Sequence, residues 1–379
     1  MSSSQELYNR LSKKMKELVA VKNGKQVTNW IWIVVGILQS QSSNLSQIAN
    51  YLPMATKAES RVTKVRRWLM NPQIKVWQFY KAILKHVLSG WSAAEAFIIL
   101  DGVMVFGDRY QVFRVSLQHG SRAIPLAWTI VEGKGLVKVT KLKSMLEKVQ
   151  RFLRERVKKV TFLADAGFRD CDWAQLCEKL GWNYAIRIAC NTFITLPDGT
   201  SDRLDNLVHV NCNRYFQDIL LTHEAKLKTN VSVTWTVDKQ GQPEMVAIIS
   251  NQIACRARLR DYDRRMSIEQ SFRDDKSGGF DMEHTCLQHA VRIDHLLLAI
   301  AIATLWCHEV GEFVLKQGEA LRCQVDPAHE RTLSLFQLGL RWLKRTVATG
   351  LLLLPDFKAH LSNLKLKPVT LLVTQNSNV

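Results

Sequence analysis

Two short apolar segments, each followed directly by an aspartate, constrain the fold of this chain more than any other feature. Residues 96–100 read AFIIL and precede Asp101, and residues 159–164 read KVTFLA and precede Asp165. Continuous apolar runs of this length are typical of strands that are buried on both faces of a sheet. Because such strands need helices to cover both faces, the sequence predicts an α/β domain.

The segments around these two strands give the predicted order of the elements. Two extended segments, 109–116 and 124–131, follow the first strand and indicate a three-stranded meander. An amphipathic segment at 138–155 predicts a helix before the second apolar strand. Beyond that strand, 171–182 reads as a helix and 183–188 as a further strand. The prediction is therefore a mixed sheet flanked by helices.

A polar stripe is predicted on a helix within residues 261–280, DYDRRMSIEQSFRDDKSGGF. Positions spaced by three or four residues share one helical face. A core-facing stripe would carry Leu, Ile and Val, whereas this one places a carboxylate between cations, which suits a polyanion held by a metal ion. A solvated helix with ion pairs is the alternative that the spacing leaves open. The stripe consists of Tyr262, Arg265, Glu269, Phe272 and Lys276.

The stripe contains the pattern Tyr-x2-Arg-x3-Glu-x6-Lys, which resembles a signature of DDE transposases from bacterial insertion sequences. The resemblance extends over about residues 30–310, and every position of the signature is matched. It implies an RNase H-like catalytic core. It also implies that Glu269 is the third catalytic acid and that Tyr262, Arg265 and Lys276 bind DNA.

Two further aspartates complete the site in that family, one at the end of the first core strand and one just after the fourth. Asp101 and Asp165 match these positions. The resemblance therefore implies that Asp101, Asp165 and Glu269 are catalytic and bind two Mg²⁺ ions, with Mn²⁺ as an alternative. Two adjacent carboxylates raise each other's pKa unless a cation lies between them, which agrees with a metal site. The structural alternative is that each aspartate simply ends a strand where a turn begins.

Residues 1–90 are predicted to form a helical domain that binds the ends of a DNA element. A helix-turn-helix-like pair begins at Ser43 or Asn44, stops at Pro53 and continues as a second helix over about residues 57–70. Basic residues on the outer side of the second helix favour insertion into a DNA groove. An amphipathic helix with a solvated basic face is the alternative. The predicted DNA contacts are Lys57, Arg61, Lys64 and Arg67.

The catalytic domain is predicted to span residues 91–310 and to contain a β-rich insertion at about 191–251. More than 100 residues separate Asp165 from Glu269, which is too many for one simple connection. In the family that the chain resembles, such an insertion helps to hold a DNA hairpin and a flipped base. Trp235 is the candidate stacking residue for that base, although an isolated Trp in a strand more often packs in the core.

Residues 311–379 are predicted to form a C-terminal helical region, with an amphipathic helix around 331–347. The resemblance implies that this region carries a dimer contact, so that a homodimer acts on DNA. Its own sequence indicates only helical, partly apolar structure.

The charge of the chain favours nucleic acid as a partner. Lys and Arg number 52 against 34 Asp and Glu, a formal net charge of +18, and they are spread along the whole sequence. Two apolar runs, 30–38 and 296–307, fall short of the roughly 20 residues that span a bilayer. The eight cysteines contain no CxxC pair and are predicted to be reduced. The first residues lack a signal peptide's apolar centre, so we expect a protein of the bacterial cytoplasm, associated with the nucleoid.

Together these features predict a DNA transposase. It would bind the ends of an insertion element, cleave them by two-metal phosphodiester hydrolysis through a hairpin, and join them to double-stranded target DNA. Two alternatives stay open. One is a structure-specific RNase H-like nuclease, and the other is a domesticated, non-mobile relative that only binds DNA.

Overall fold

A computed structural model describes residues 2–19, 24–91, 93–105, 107–222, 227–238, 240–285, 287–350 and 353–361. These residues form one mixed sheet with helices packed against it. The helices are α1 (Ser3–Leu18), α2 (Gly24–Ser40), α3 (Leu45–Ala49), α4 (Ala58–Leu69), α5 (Val76–Val87), α6 (Val139–Leu153), α7 (Cys171–Lys179), α8 (Leu204–Leu207), α9 (Arg256–Asp263), α10 (Met266–Asp275), α11 (Ala290–Lys316), α12 (Glu319–Arg322) and α13 (Leu335–Thr349). The strands are β1 (Glu95–Val105), β2 (Tyr110–His119), β3 (Arg122–Glu132), β4 (Lys159–Ala164), β5 (Asn183–Ile188), β6 (Phe193–Thr195), β7 (Ser201–Arg203), β8 (Arg214–Leu221), β9 (Leu227–Val237) and β10 (Pro243–Ser250).

The strand order of the described sheet is β3-β2-β1-β4-β5-β10-β9-β8-β6-β7. Strands β1, β2 and β3 form an antiparallel meander, and β4 and β5 run parallel to β1. This combination is the arrangement of an RNase H-like sheet. The predicted fold class, an α/β chain with a mixed sheet between helices, is confirmed.

Strand β1 is longer than the sequence predicts. The apolar run was expected to end at Leu100, but the ladder with β2 continues through Val103 and Val105. Asp101 therefore lies inside a strand and not at its end. The expectation was wrong because the Asp-Gly pair resembles a turn, whereas here it continues a long hairpin.

The β-rich segment between the fifth strand and α9 extends the central sheet. Strand β10 pairs antiparallel with both β5 and β9, and β8, β6 and β7 follow at the far side. The predicted β-rich character of 191–251 is present, and these strands continue the core sheet without a break.

The N-terminal helices follow the predicted pattern. Asn44 begins α3 with its side-chain oxygen accepting a hydrogen bond from Ser46 N at 2.9 Å. Helix α2 is buried along nearly its whole length and packs against α11. Among the described helices, α11 is long and apolar enough to cross a bilayer, but 78% of its most apolar window is buried inside the protein.

The helix predicted over residues 261–280 is interrupted in the structure. Helix α9 ends at Asp263 and α10 begins at Met266. At the junction, Arg265 N donates to Tyr262 O at 2.9 Å, and Ile268 N donates to Arg265 O at 3.1 Å. These bonds span three residues instead of four, as in a 3₁₀ turn. The prediction of one continuous helical face was therefore wrong.

Candidate active site

Neighbouring parallel strands bring the two aspartates together. In the register of β1 and β4, Leu100 is paired with Ala164. Asp101 and Asp165 directly follow these paired residues, Asp101 within β1 and Asp165 just past the end of β4, so they lie side by side beyond the last paired row. Adjacent strands lie about 4.8 Å apart, which brings the two carboxylates near each other.

The residue after Asp101 is a glycine for a local reason. A Cβ on Gly102 would lie 2.7 Å from Cε1 of Phe113 on the paired strand. The Gly102 N–H also donates to Asp101 Oδ1 at 2.7 Å. The small residue thus keeps the hairpin closed beside Asp101 and helps to orient its carboxylate.

Asp165 is held by the turn that follows β4. Its Oδ1 accepts a hydrogen bond from Gly167 N at 2.9 Å and caps a short 3₁₀ turn over Ala166–Phe168. A Cβ on Gly167 would lie 2.9 Å from that same oxygen. The sequence Asp-Ala-Gly therefore fixes one carboxylate oxygen on the backbone.

Arg265 joins the third acid to the first. Its Nη1 lies 3.1 Å from Asp101 Oδ2, and its Nη2 lies 2.5 Å from Glu269 Oε1. Glu269 stands one turn into α10, so the bend between α9 and α10 directs Arg265 toward β1. The side chain of Asp101 is 14% exposed and that of Glu269 is 41% exposed. Solvent therefore reaches the site from the α10 side.

The acids influence each other electrostatically. Burial raises the pKa of the Asp101 carboxyl to about 6, and the Arg265 guanidinium opposes this rise. Asp165 and Glu269 add to the rise, because two nearby negative charges disfavour ionisation of a third. All three acids thus act on one small region, and Arg265 supplies its compensating charge.

The donor chemistry of this site fits a divalent cation. Carboxylate oxygens are the ligands that Mg²⁺ and Mn²⁺ prefer, and Asp101 and Glu269 already converge on one cationic group. Within the described residues, no three His, Cys, Asp or Glu side chains are gathered closely enough to hold a metal ion. A metal would therefore have to replace the Arg265 guanidinium between the acids.

The other members of the stripe lie in different environments. The Arg265 guanidinium lies 5.7 Å from the ring centroid of Tyr262, and burial raises the pKa of that phenol. Lys276 follows the end of α10 and pairs with Glu283 at 2.8 Å. Phe272 is 8% exposed and packs in the core beneath the helix. Phe272 is therefore a packing residue and is not part of a polar face.

The basic residues of α4 differ in what they contact. Arg61 donates from Nε to Ala49 O at 3.1 Å and from Nη1 to Thr56 O at 2.5 Å, so it braces the loop before α4. Lys57 is exposed at the start of the helix. Lys64 and Arg67 line a cavity of about 480 Å³ that also includes Lys25 and Asn71.

Trp235 lies on β9, half-buried, and packs against the main hydrophobic core. It pairs across the ladder with Met245 of β10. A packing role accounts for these contacts, and a role in base stacking stays a prediction.

Sequence reasoning missed the side chains behind α10. They form buried ion pairs between the end of that helix and strands β2 and β3. One signal was present, because an Arg in the middle of the apolar strand YQVFRVSLQH needs an acidic partner if it is buried. The residues are Arg114, Arg122, Asp274 and Asp275.

The strand order identifies the fold as RNase H-like, and the three acids are grouped beside its central strands β1 and β4. Residues 138–306 match the family model described as "Transposase DDE domain". This match covers less than half of the chain and includes Asp165 and Glu269, while Asp101 precedes it.

A solved structure and the curated proteins complete the comparison. The chain is similar to a piggyBac transposase in a synaptic complex with hairpin DNA, solved by cryo-EM, with 10% sequence identity and a TM-score of 0.46. The similarity covers 95% of this chain and 84% of that chain. No curated protein matches the chain.

Proposed function

We propose that this protein is a DNA transposase that uses Asp101, Asp165 and Glu269 to cut and join phosphodiesters. The observation that carries the proposal is the grouping of these acids at an RNase H-like sheet, since Asp101 and Asp165 follow paired residues of β1 and β4 and Arg265 links Asp101 to Glu269. The match of residues 138–306 to a transposase DDE domain supports it. The net charge of +18 suits a DNA partner.

The three acids would hold two divalent ions, Mg²⁺ or Mn²⁺. Such ions, when bound, activate an attacking water or 3′-hydroxyl and stabilise the leaving oxygen. Arg265, once released from Asp101 and Glu269, would pair with a phosphate of the DNA end, and Lys276 would add a second cation. Tyr262 packs beside Arg265 and supports its guanidinium.

The finer parts of the proposal follow from the signature and the charge. The protein acts on the ends of a bacterial insertion element of the Tyr-Arg-Glu-Lys subgroup, forms a hairpin intermediate and joins the ends to target DNA. It works as a homodimer on double-stranded DNA, in the cytoplasm at the nucleoid and away from membranes. Lys57, Lys64 and Arg67 of α4 contribute to end binding.

A cleavage assay tests the proposal. Labelled DNA from either flank of the gene is incubated with the protein and Mg²⁺, and nicks, hairpins and joined products are separated on a gel. We expect all three product classes from the wild type. Asp101→Ala, Asp165→Ala and Glu269→Ala should each lose cleavage by orders of magnitude and keep DNA affinity, because Lys and Arg supply the phosphate contacts.

Three results would contradict the proposal. Cleavage without joining would indicate a nuclease, and binding without cleavage would indicate a DNA-binding relative. Substantial cleavage by any of the three variants would show that the acids are misassigned.

A further inference from the structure

Helix α10 ends in two adjacent buried carboxylates. Asp274 is 4% exposed and Asp275 is 3% exposed. Asp275 pairs with Arg114 of β2, and Asp274 pairs with Arg122 of β3, whose Nε lies 2.5 Å from Asp274 Oδ2. Burial raises the pKa of both carboxyls, and the arginines oppose that rise. Because desolvation offsets the attraction in such pairs, they contribute little net stability.

The strand register ties one of these pairs to the active site. Arg114 stands directly opposite Asp101 in the ladder of β1 and β2. Residues directly opposite each other in an antiparallel ladder point to the same face of the sheet. The Arg114–Asp275 pair therefore attaches α10 to the strand row that presents Asp101.

Further contacts hold the same side of the helix. Ser271 Oγ accepts a hydrogen bond from Ala123 N of β3 at 2.8 Å. The Arg114 guanidinium lies 4.3 Å from the ring centroid of Phe272. Gln337 of α13 donates to Asp274 Oδ1 at 3.1 Å. Polar bonds from two strands and one helix thus converge on the last two turns of α10.

The first turn of α10 is held differently, by the buried side chain of Ile268 and by Arg265, which pairs with Asp101 and Glu269. Arg265 occupies its N-cap position and makes no side-chain capping bond there. Glu269 lies six residues before Asp275, which is about 9 Å along a helix. The position of the Glu269 carboxylate thus depends on the Arg265 contact and on how firmly the far end of α10 is held.

We propose that the Arg114–Asp275 and Arg122–Asp274 pairs position Glu269 relative to Asp101, so that the acids can bind metal ions together. The inference rests on the proposed function, since it names positioning residues for that site. The side chains of Arg114 and Arg122 are only 4% and 12% exposed, so both arginines are assigned as positioning residues. Losing the pairs should therefore weaken metal binding without removing a ligand.

The test replaces one ion pair by apolar side chains of similar size. Arg114→Met combined with Asp275→Leu leaves no unpaired buried charge, so the fold should persist. We expect the Kd for Mn²⁺, measured calorimetrically without DNA, to rise by about 10-fold or more. Amide hydrogen exchange of residues 266–275 should become faster, and DNA affinity should stay unchanged. Arg114→Lys, which keeps the charge but loses the planar guanidinium that stacks over Phe272, should give a smaller increase in Kd.

The matched control is the ion pair between Glu95 Oε1 and Lys159 Nζ, which lie 3.4 Å apart. This pair joins β1 to β4 at their first residues, away from the two aspartates. Glu95→Leu with Lys159→Met should leave the Mn²⁺ Kd and the exchange of α10 unchanged. Wild-type Mn²⁺ affinity and wild-type exchange in the Arg114–Asp275 double variant would overturn the inference. If the wild type neither binds Mn²⁺ nor cuts DNA, the proposed function is overturned instead. The amide hydrogen exchange of residues 266–275 would still decide whether the ion pairs hold α10.

Discussion

Arg265 is the predicted DNA contact whose surroundings in the structure were least expected from the sequence. Its spacing in the signature predicts a contact with DNA phosphate, yet the structure places its guanidinium between Asp101 and Glu269. A guanidinium there neutralises carboxylates that would otherwise repel each other. Under the proposed function, Arg265 is therefore a stand-in cation that metal ions would displace and that DNA phosphate would then engage.

Replacing Arg265 by Gln should strengthen metal binding in the absence of DNA. The metal would no longer displace a cation, so we expect the Mn²⁺ Kd to fall several-fold in calorimetric titrations. Binding to the wild type should weaken as the pH falls below about 6, because the Asp101 carboxyl must lose its proton and burial raises its pKa to about 6. Arg264→Gln is the control, since Arg264 is its exposed neighbour and stacks over Phe97. An unchanged or weaker Mn²⁺ affinity for Arg265→Gln would exclude the stand-in role.

The residues of the site were predictable to different degrees. The sequence could place Asp101 and Asp165 side by side, because each aspartate directly follows a short apolar segment that is typical of a buried strand. The partner of Arg114 could not be found, because Asp275 is 161 residues away and the pairing depends on how α10 lies on the sheet. Sequence spacing reports neighbours on one element, whereas contacts between elements require the tertiary structure.

At the level of single elements, helices were easier to predict than their interruptions. The bounds of α4 and α13 lie close to the predicted 57–70 and 331–347. The break between α9 and α10 was missed, because its residues are compatible with a helix and the tighter turn leaves no Gly or Pro signal. This break turns Arg265 toward Asp101 of β1.

Helix α4 is expected to bind DNA through three of its four predicted cations. Changing Lys57, Lys64 and Arg67 to Ala together should weaken DNA binding and reduce its salt slope by about one unit per lost phosphate contact. Arg61→Ala is the control, and it should lower the melting temperature without changing the slope, because Arg61 donates to backbone carbonyls. Titrations of the triple variant that overlay the wild type across salt concentrations would show that α4 is a solvated surface.

At the scale of the whole molecule, the predicted domains share one continuous core. Buried residues of α2, of the sheet and of α13 belong to the same hydrophobic cluster. Helices α11 and α13 approach so closely that a Cβ on Gly339 would lie 1.8 Å from Cys307 O. From the other side, His295 of α11 contacts Leu69 O at 2.8 Å and Ile74 O at 3.2 Å through its two ring nitrogens. Helix α11 is therefore enclosed by the N-terminal and C-terminal helices.

The enclosure of α11 predicts that residues 91–310 do not fold alone, although their sequence reads as a complete catalytic domain. Without α2, α4 and α13, this fragment would expose the apolar sides of α11 that those helices cover. We expect the fragment to keep helical far-UV circular dichroism, to lose its near-UV signal and to bind a hydrophobic dye, as partly packed states do. A fragment of residues 2–361, which retains the covering helices and α1, should melt in one sharp transition near that of the full chain. A sharp transition and a native near-UV spectrum for residues 91–310 would show instead that the helical regions are independent domains docked on a self-sufficient core.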